Sequence, residues 1–120
     1  MHIIITGIHL EVTEAIHSYV LSKLTVLDKY IRSDDTSAKL SVELSRVTNH
    51  HQHGQVYKAE GHLHIRGRTV TLEATEEDLY KAIDVLRDML IRDVSTHKDK
   101  ERSILRRSAH KIKQVFKRLM

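Results

Sequence analysis

The order of apolar and polar residues divides this chain into strands and helices. HIIIT, residues 2–6, is short, β-branched and followed by Gly7, and it predicts a strand. From Val12 the period lengthens. Ile16, Tyr19, Val20, Leu24, Leu27 and Ile31 recur at steps that keep one side of a helix apolar, and Thr13 can cap the first turn. The pattern predicts a helix of about five turns, broken by SDDTS. Residues 38–48 then alternate, with Ala38, Leu40, Val42 and Leu44 facing one way and Lys39, Ser41, Glu43 and Ser45 the other. NHHQHG predicts a loop. VYKAEGHLHIR alternates again, with Tyr57, Ala59, Leu63 and Ile65 opposed to Lys58, Glu60, His62, His64 and Arg66. RGR turns the chain into TVTLEA, where Val70, Leu72 and Ala74 keep the period. Thr75 followed by Asp78 has the spacing of a capping box, with Asp in place of Glu, and it predicts a long helix starting there. Leu79, Ala82, Ile83, Leu86, Leu90 and Val94 form its apolar stripe. No proline interrupts it before Met120, and no glycine follows Gly67.

The predicted order is β-α-β-β-β-α. An antiparallel meander with one apolar face and two helices with one apolar stripe each are buried most simply as a two-layer α+β sandwich. We expect a four-stranded sheet with two helices on one face and a long C-terminal helix. The first strand is expected beside the second, through a right-handed crossover. A chain of 120 residues suits one domain. It has no cysteine, which removes disulfides, thiol catalysis and Cys-ligated zinc. No apolar run approaches a membrane span, and MHIIITG is too short for a signal peptide. These features predict a cytoplasmic protein.

Charge adds a second boundary. The net charge is +4, but residues 1–96 carry eleven Lys and Arg against fourteen acids, whereas residues 97–120 carry nine against two. The last stretch is also amphipathic. Leu105, Ala109, Ile112, Val115, Phe116 and Leu119 make one stripe, with Arg106, Arg107, Lys111, Lys113, Lys117 and Arg118 around it. We therefore divide the chain into a body, 1–100, and a basic amphipathic extension, 101–120. Such polarity points to a polyanion, either nucleic acid or an acidic membrane surface.

On the long helix, Lys81, Arg92 and Lys100 lie opposite the apolar stripe, with Arg87 and Lys98 on one flank. Asp84, Asp88, Asp93 and Asp99 share this surface, so its first part reads equally well as a solvated, ion-paired face. From Lys98 onward acids run out and phosphate contact becomes the better reading. Lys58, His62, His64, Arg66 and Arg68 are assigned to the polar sheet face and its hairpin, as further RNA candidates. EEDLYKA places Glu76, Glu77 and Asp78 at a helix N-terminus, where a duplex-RNA reader would use lysines; the acids read as dipole-compensating caps. Tyr80 lies off the stripe, suited to stacking or to packing over a helix edge. There are ten histidines, among them His50, His51 and His53 in one loop. Without cysteine or a helical H-E-x-x-H they predict surface residues and no metal. No acid pair, nucleophile–base set or glycine-rich phosphate loop is recognisable, so neither catalysis nor a cofactor is expected.

ITGIHLEVTEAIHSYVLSKL, LDKYI and, in the second helix, EEDLYKAIDVLRDML and STHKDK resemble the short ribosome hibernation-promoting factors and ribosome-associated inhibitor A over about residues 1–100. The resemblance implies a non-enzymatic silencer of translation. Family members lodge in the small ribosomal subunit between head and body, cover the mRNA channel and the A and P tRNA sites, and store inactive ribosomes under stress or in stationary phase. Short members with hibernation-promoting activity favour ribosome dimers, and the inhibitor branch keeps single ribosomes idle. In long members a second domain drives dimerisation, for which this length leaves no room. Lys23, Arg92, His97, Lys98 and Lys100 match the family's basic rRNA-facing positions. Val26, Met89 and Thr96 stand where relatives often carry a basic residue. The extension, with Arg102, Arg106 and Arg107, matches neither branch and is expected to be a second grip on RNA. The expected partners are rRNA and proteins of the small subunit, in competition with mRNA and tRNA, and no membrane. Two other readings stay open: a general duplex-RNA module, and a protein–protein regulator acting through the C-terminal helix, in line with the family's association with sigma-factor modulation.

Overall fold

The computed structural model describes the backbone of residues 1–31, 35–48 and 55–119, and the side chains of 1–31, 35–47, 56–97 and 104–108. The elements follow as β1 (His2–Ile8), α1 (Glu14–Leu24), a 3₁₀ helix (Thr25–Tyr30), β2 (Lys39–Thr48), β3 (Gln55–Ile65), β4 (Arg68–Glu76) and α2 (Leu79–Leu119). The order and the α+β class are those the sequence predicts. The histidine loop, with His50, His51 and His53, lies outside the described residues, as do the side chains of Lys98, Lys100 and Arg102.

Thr13 does cap α1: its Oγ1 accepts the Ile16 N–H at 3.3 Å. The helix is shorter than its apolar period suggests, because α geometry stops at Leu24 and the chain tightens into the 3₁₀ helix. The β-branched pair Thr25–Val26 stands at this switch, where crowding against the preceding turn weakens α geometry. Leu27 is fully buried from the 3₁₀ segment, so the apolar stripe continues although the helix type changes.

The sheet order is β1-β2-β3-β4. β1 runs parallel to β2, and the other pairs are antiparallel. Register aligns the apolar residues in rows across all four strands. Ile3, Leu40, Leu63 and Val70 form one row; Ile5, Val42, Gly61 and Leu72 the next; Gly7, Leu44, Ala59 and Ala74 the third. Over these rows lie Val20, Leu24 and Leu27 from the first helical segment and Ile83, Leu86 and Leu90 from α2, all fully buried. At Gly61 an added Cβ would meet Leu86 Cδ1 at 3.3 Å, so the missing side chain is what lets α2 sit this low on the sheet.

Two turns set the ends of the sheet. After β1 the chain reverses through His9, whose φ is 54°, and this brings the Leu10 carbonyl against Gly7. Between β3 and β4, Ile65 pairs with Arg68, leaving Arg66 (φ 50°) and Gly67 (φ 75°) as a two-residue turn. Two positive φ values are the requirement of the hairpin turn that matches strand twist. The Arg66 N–H donates to Asp35 Oδ2 at 3.2 Å, and Ser37 donates its hydroxyl to Asp35 Oδ1 at 2.7 Å. These donors, with the Ser37 hydroxyl foremost, hold the Asp35 carboxyl below the usual carboxylate range.

The start of α2 differs from the Thr75 position that the capping-box spacing predicts. Thr75 and Glu76 still belong to β4, opposite Lys58 and Tyr57, and the helix opens at Leu79. The ladder to β3 holds these residues extended, and Asp78 is the cap. Its Oδ1 accepts the Tyr80 N–H at 2.9 Å and its carbonyl the Ala82 N–H at 3.0 Å. From there α2 continues without a break for 41 residues, about 62 Å at 1.5 Å per residue. Val94 is its last buried residue among those described, and residues 104–108 are all exposed. The second half of α2 therefore projects beyond the body.

Candidate nucleic-acid interface

The surface that α1 and α2 turn away from the sheet carries cations in two states. Near the body they are compensated. Tyr19 donates its hydroxyl to Asp84 Oδ1 at 2.7 Å, and Lys23 Nζ approaches the same oxygen at 3.9 Å while lying 5.3 Å from the centre of the Tyr19 ring. Arg87 donates Nε–H to Asp88 Oδ1 at 3.0 Å, and its Nη2 lies 3.0 Å from the same oxygen. Lys81 reaches Glu76 at 3.8 Å. Between the two helices an open groove of about 370 Å³ is lined by Ser22, Lys23, Val26, Arg87, Asp88 and Ile91. Val26 contributes an apolar wall where the family resemblance points to a basic residue.

Farther along α2 the compensation thins among the described residues. Asp93 is turned to the sheet edge, where it takes Arg68 at 3.0 Å and approaches His97 at 3.8 Å. Arg92 is exposed and has no ionic partner among the described residues. About two and a half helical turns after His97, the last described side chain of the body, Arg106 and Arg107 are exposed as well, beside Ile104 and Leu105. Tyr80 packs edge-on against Tyr19, with ring centres 4.7 Å apart, so the packing role accounts for it.

The bond to the Asp84 carboxylate, helped by desolvation and by the charge of Asp84, raises the Tyr19 hydroxyl above its ordinary range. A raised acid favours its neutral form in the folded state. The stabilisation is present below the unfolded value of about 10 and is lost as pH rises through the folded one. In an ultraviolet titration at 295 nm, one of the four tyrosines should ionise late, and Tyr19→Phe should remove that step. Four tyrosines titrating together in the native protein would contradict this.

The polar sheet face has a different character. Register places Glu43, Glu60 and Glu73 side by side across β2, β3 and β4. Lys58 is held between two of them, 3.6 Å from Glu60 and 3.8 Å from Glu73. His62 bridges Glu60 at 2.8 Å and Thr71 at 3.0 Å, and His64 bonds Thr69 at 3.0 Å. Arg68 does not line this face: it pairs with Ile65 in the ladder and its guanidinium reaches under α2 to Asp93. The centre of the face is acidic, and the cations assigned to it by alternation have carboxylate partners at Lys58 and at the displaced Arg68. A second open groove, of about 430 Å³, lies at the start of α2, where Glu11, Glu77 and Asp78 face Arg46 and Tyr57. Arg46 sits 5.7 Å over the Tyr57 ring. The acids make this helix start a poor phosphate seat, as EEDLYKA suggests.

A two-helix layer on a mixed sheet, with no catalytic constellation among the described residues and a cationic helix leaving the body, matches a known class. The model of the family described as Sigma 54 modulation protein / S30EA ribosomal protein covers residues 3–102, and the chain belongs to this family of non-enzymatic ribosome hibernation factors. It is 33% identical over 109 residues to the ribosome hibernation promoting factor of Pseudomonas putida, spanning 91% of this chain and 98% of that protein. The Escherichia coli K12 protein of the same name is 35% identical over 101 residues, 83% of this chain and 96% of its own length. Among solved structures, the N-terminal domain of Thermus thermophilus Protein Y superposes with a TM-score of 0.68 at 34% identity, covering 81% of this chain and 99% of that domain. A ribosomal subunit interface protein from Coxiella burnetii shares the fold, with a TM-score of 0.64 at 20% identity. No helix among the described residues is long and apolar enough to cross a membrane.

Sequence reasoning missed two parts of this surface. The Tyr19–Asp84–Lys23 set joins helices 65 residues apart in sequence, and no local pattern announces it. The glutamate row had a usable signal. A two-residue Arg66–Gly67 turn fixes Ile65 opposite Arg68, and counting back along both strands sets Glu60 beside Glu73.

Proposed function

We propose that this protein binds the small ribosomal subunit through the outer face of α1 and α2, blocks the mRNA and tRNA channel, and so stores ribosomes in an inactive state. The observation that carries the reading is the change along α2 from paired cations, Lys81 and Arg87, to the exposed Arg92, Arg106 and Arg107, which have no ionic partner among the described residues. Unpaired Arg and Lys offer phosphate contacts without first breaking an internal ion pair. Lys23, Arg87 and His97 flank that path, with the helical positions Lys98, Lys100 and Arg102 between body and extension. Lys58, Arg66 and Arg68 offer less, since Lys58 and Arg68 are engaged by carboxylates and Arg66 sits at the hairpin tip beside Asp35. The names of the relatives support the ribosome as target, and the acidic start of α2 speaks against a general duplex-RNA module.

The test is competition. Added to a cell-free translation system, the protein should inhibit synthesis, and on isolated small subunits it should displace labelled initiator tRNA and mRNA. Simultaneous binding of initiator tRNA and this protein to the same subunit, with neither weakening the other, would falsify the occlusion.

A further inference from the structure

We infer that the open face of the sheet holds a divalent transition-metal ion of the zinc class, bound by Glu43, Glu60 and His62. One nitrogen and two carboxylate oxygens of these residues all lie within 4.8 Å of one another. The site stands apart from the helix face proposed to meet RNA, and it does not depend on that proposal.

Three observations converge on it. First, the donors come from paired strands and not from a loop. Glu43 and Glu60 are direct cross-strand partners, and His62 is two residues along β3 on the same face. A sheet holds ligands in place better than a loop does. Second, the charges there are unbalanced. Like charges directly opposite each other destabilise a ladder, yet Glu43, Glu60 and Glu73 stand in one row. Lys58 serves Glu60 and Glu73, while Glu43, half-buried, has no cation partner among the described residues. Lys58 approaches Glu60 through Oε2 and His62 approaches it through Oε1, so the two oxygens already have separate duties.

Third, the imidazole is held as a metal ligand would be. Its Nδ1 lies 3.0 Å from the Thr71 hydroxyl, which leaves Nε2 directed at Glu60 Oε1, 2.8 Å away. A hydroxyl can donate or accept. Transfer of the ring hydrogen to Nδ1 therefore keeps the Thr71 bond and frees the Nε2 lone pair for an ion. Such an outer hydrogen bond orients metal-bound histidines in general. A tetrahedral zinc with bonds near 2.0–2.1 Å needs its donors roughly 3.3 Å apart, so binding would draw the carboxylates of Glu43 and Glu60 inward from their present spacing, within 4.8 Å. A nitrogen donor favours zinc or cobalt over magnesium and calcium, which prefer oxygen throughout. Water would complete the coordination on the solvent side.

The test is calorimetric titration of the full chain with zinc sulfate. To remove other zinc-binding groups, it is run with His50, His51 and His53 each changed to Asn. One zinc per chain should bind in this background. Adding Glu43→Gln or His62→Asn should weaken binding at least tenfold. Cobalt should give visible absorption bands that His62→Asn abolishes. Thr71→Val should weaken zinc severalfold by removing the ring's outer partner, which a purely electrostatic cluster would not register. Unchanged melting temperatures in chelator confirm that the variants fold. No zinc uptake in the loop-histidine background, binding that survives both single changes, or equal affinity for magnesium would each overturn the site.

Discussion

Ending the chain after Lys100 should leave a folded domain that still binds the small ribosomal subunit, but about tenfold to a hundredfold more weakly at moderate salt. Folding should survive because, among the described residues, the buried core ends at Val94 and residues 104–108 are exposed. Affinity should fall because the truncation removes seven Lys and Arg and only one acid, Glu101. The body alone carries more acids than bases, and its cations at Lys23, Lys81 and Arg87 are paired. The salt dependence carries more information than the affinity. Each phosphate contact contributes roughly 0.7–0.9 to the slope of log affinity against log salt, so losing three contacts should flatten it by about 2–3. Sedimentation binding across a salt series measures both quantities. Full affinity in the truncated protein would remove the extension from the interface. An unchanged salt slope with reduced affinity would instead assign the loss to the apolar stripe around Leu105 and to a protein partner.

Gly7→Ala should destabilise the fold by about 3 kcal/mol, lowering the melting temperature by roughly 10–25 °C for a domain of this size. The position lies in β1, where any Cβ would be driven into the Leu10 carbonyl and against Val12. Backbone cannot swing aside as a side chain can, so the turn through His9 would have to be rebuilt. Gly61 and Gly67 provide the comparison. At Gly61 the obstacle is the flexible end of Leu86 at 3.3 Å, which can give way by a few tenths of an ångström. At Gly67 nothing lies within 4 Å, and only the φ of 75° opposes a side chain, at a cost of about 1–2 kcal/mol. Thermal unfolding should therefore rank Gly7→Ala as the most damaging of the three. An alanine at Gly7 that melts with the wild type would show that the β1 turn yields at little cost.

The strands were legible because each has one wet and one dry side, so Leu40, Val42 and Leu44 or Leu63 and Ile65 betray a two-residue period directly. The helices were legible as apolar stripes, but their limits were not. Thr25 and Val26 change the helix type without interrupting the stripe, so the period alone gives no sign of it. Thr75 has a capping residue's chemistry, yet it continues the alternation of β4, and the ladder to Lys58 settles the competition in favour of the strand. Arg68 shows a further limit. Alternation assigns a face only once the turn residues are counted correctly, and with Arg66 and Gly67 as the turn Arg68 falls on the helix side. For the candidate interface, sequence reveals where cations are plentiful but not which are already neutralised. By sequence Asp84, Asp88 and Asp93 share one surface, whereas Asp93 is turned to Arg68 and so leaves Arg92 exposed without a partner among the described residues.

Because α2 is one unbroken helix from Leu79 to Leu119, the extension and the body are locked in rotational phase. Each residue added or removed between Val94 and Ile104 would turn everything beyond it by about 100° and shift it by 1.5 Å. Two added residues would aim the extension's cations almost to the opposite side while leaving its composition unchanged. Seven would return it to within about 20° of its original heading, some 10 Å farther out. A flexible linker would forgive such changes in length. A rigid rod makes them a matter of angle, so descendants of this chain can lengthen or shorten its reach cheaply only in steps of whole turns.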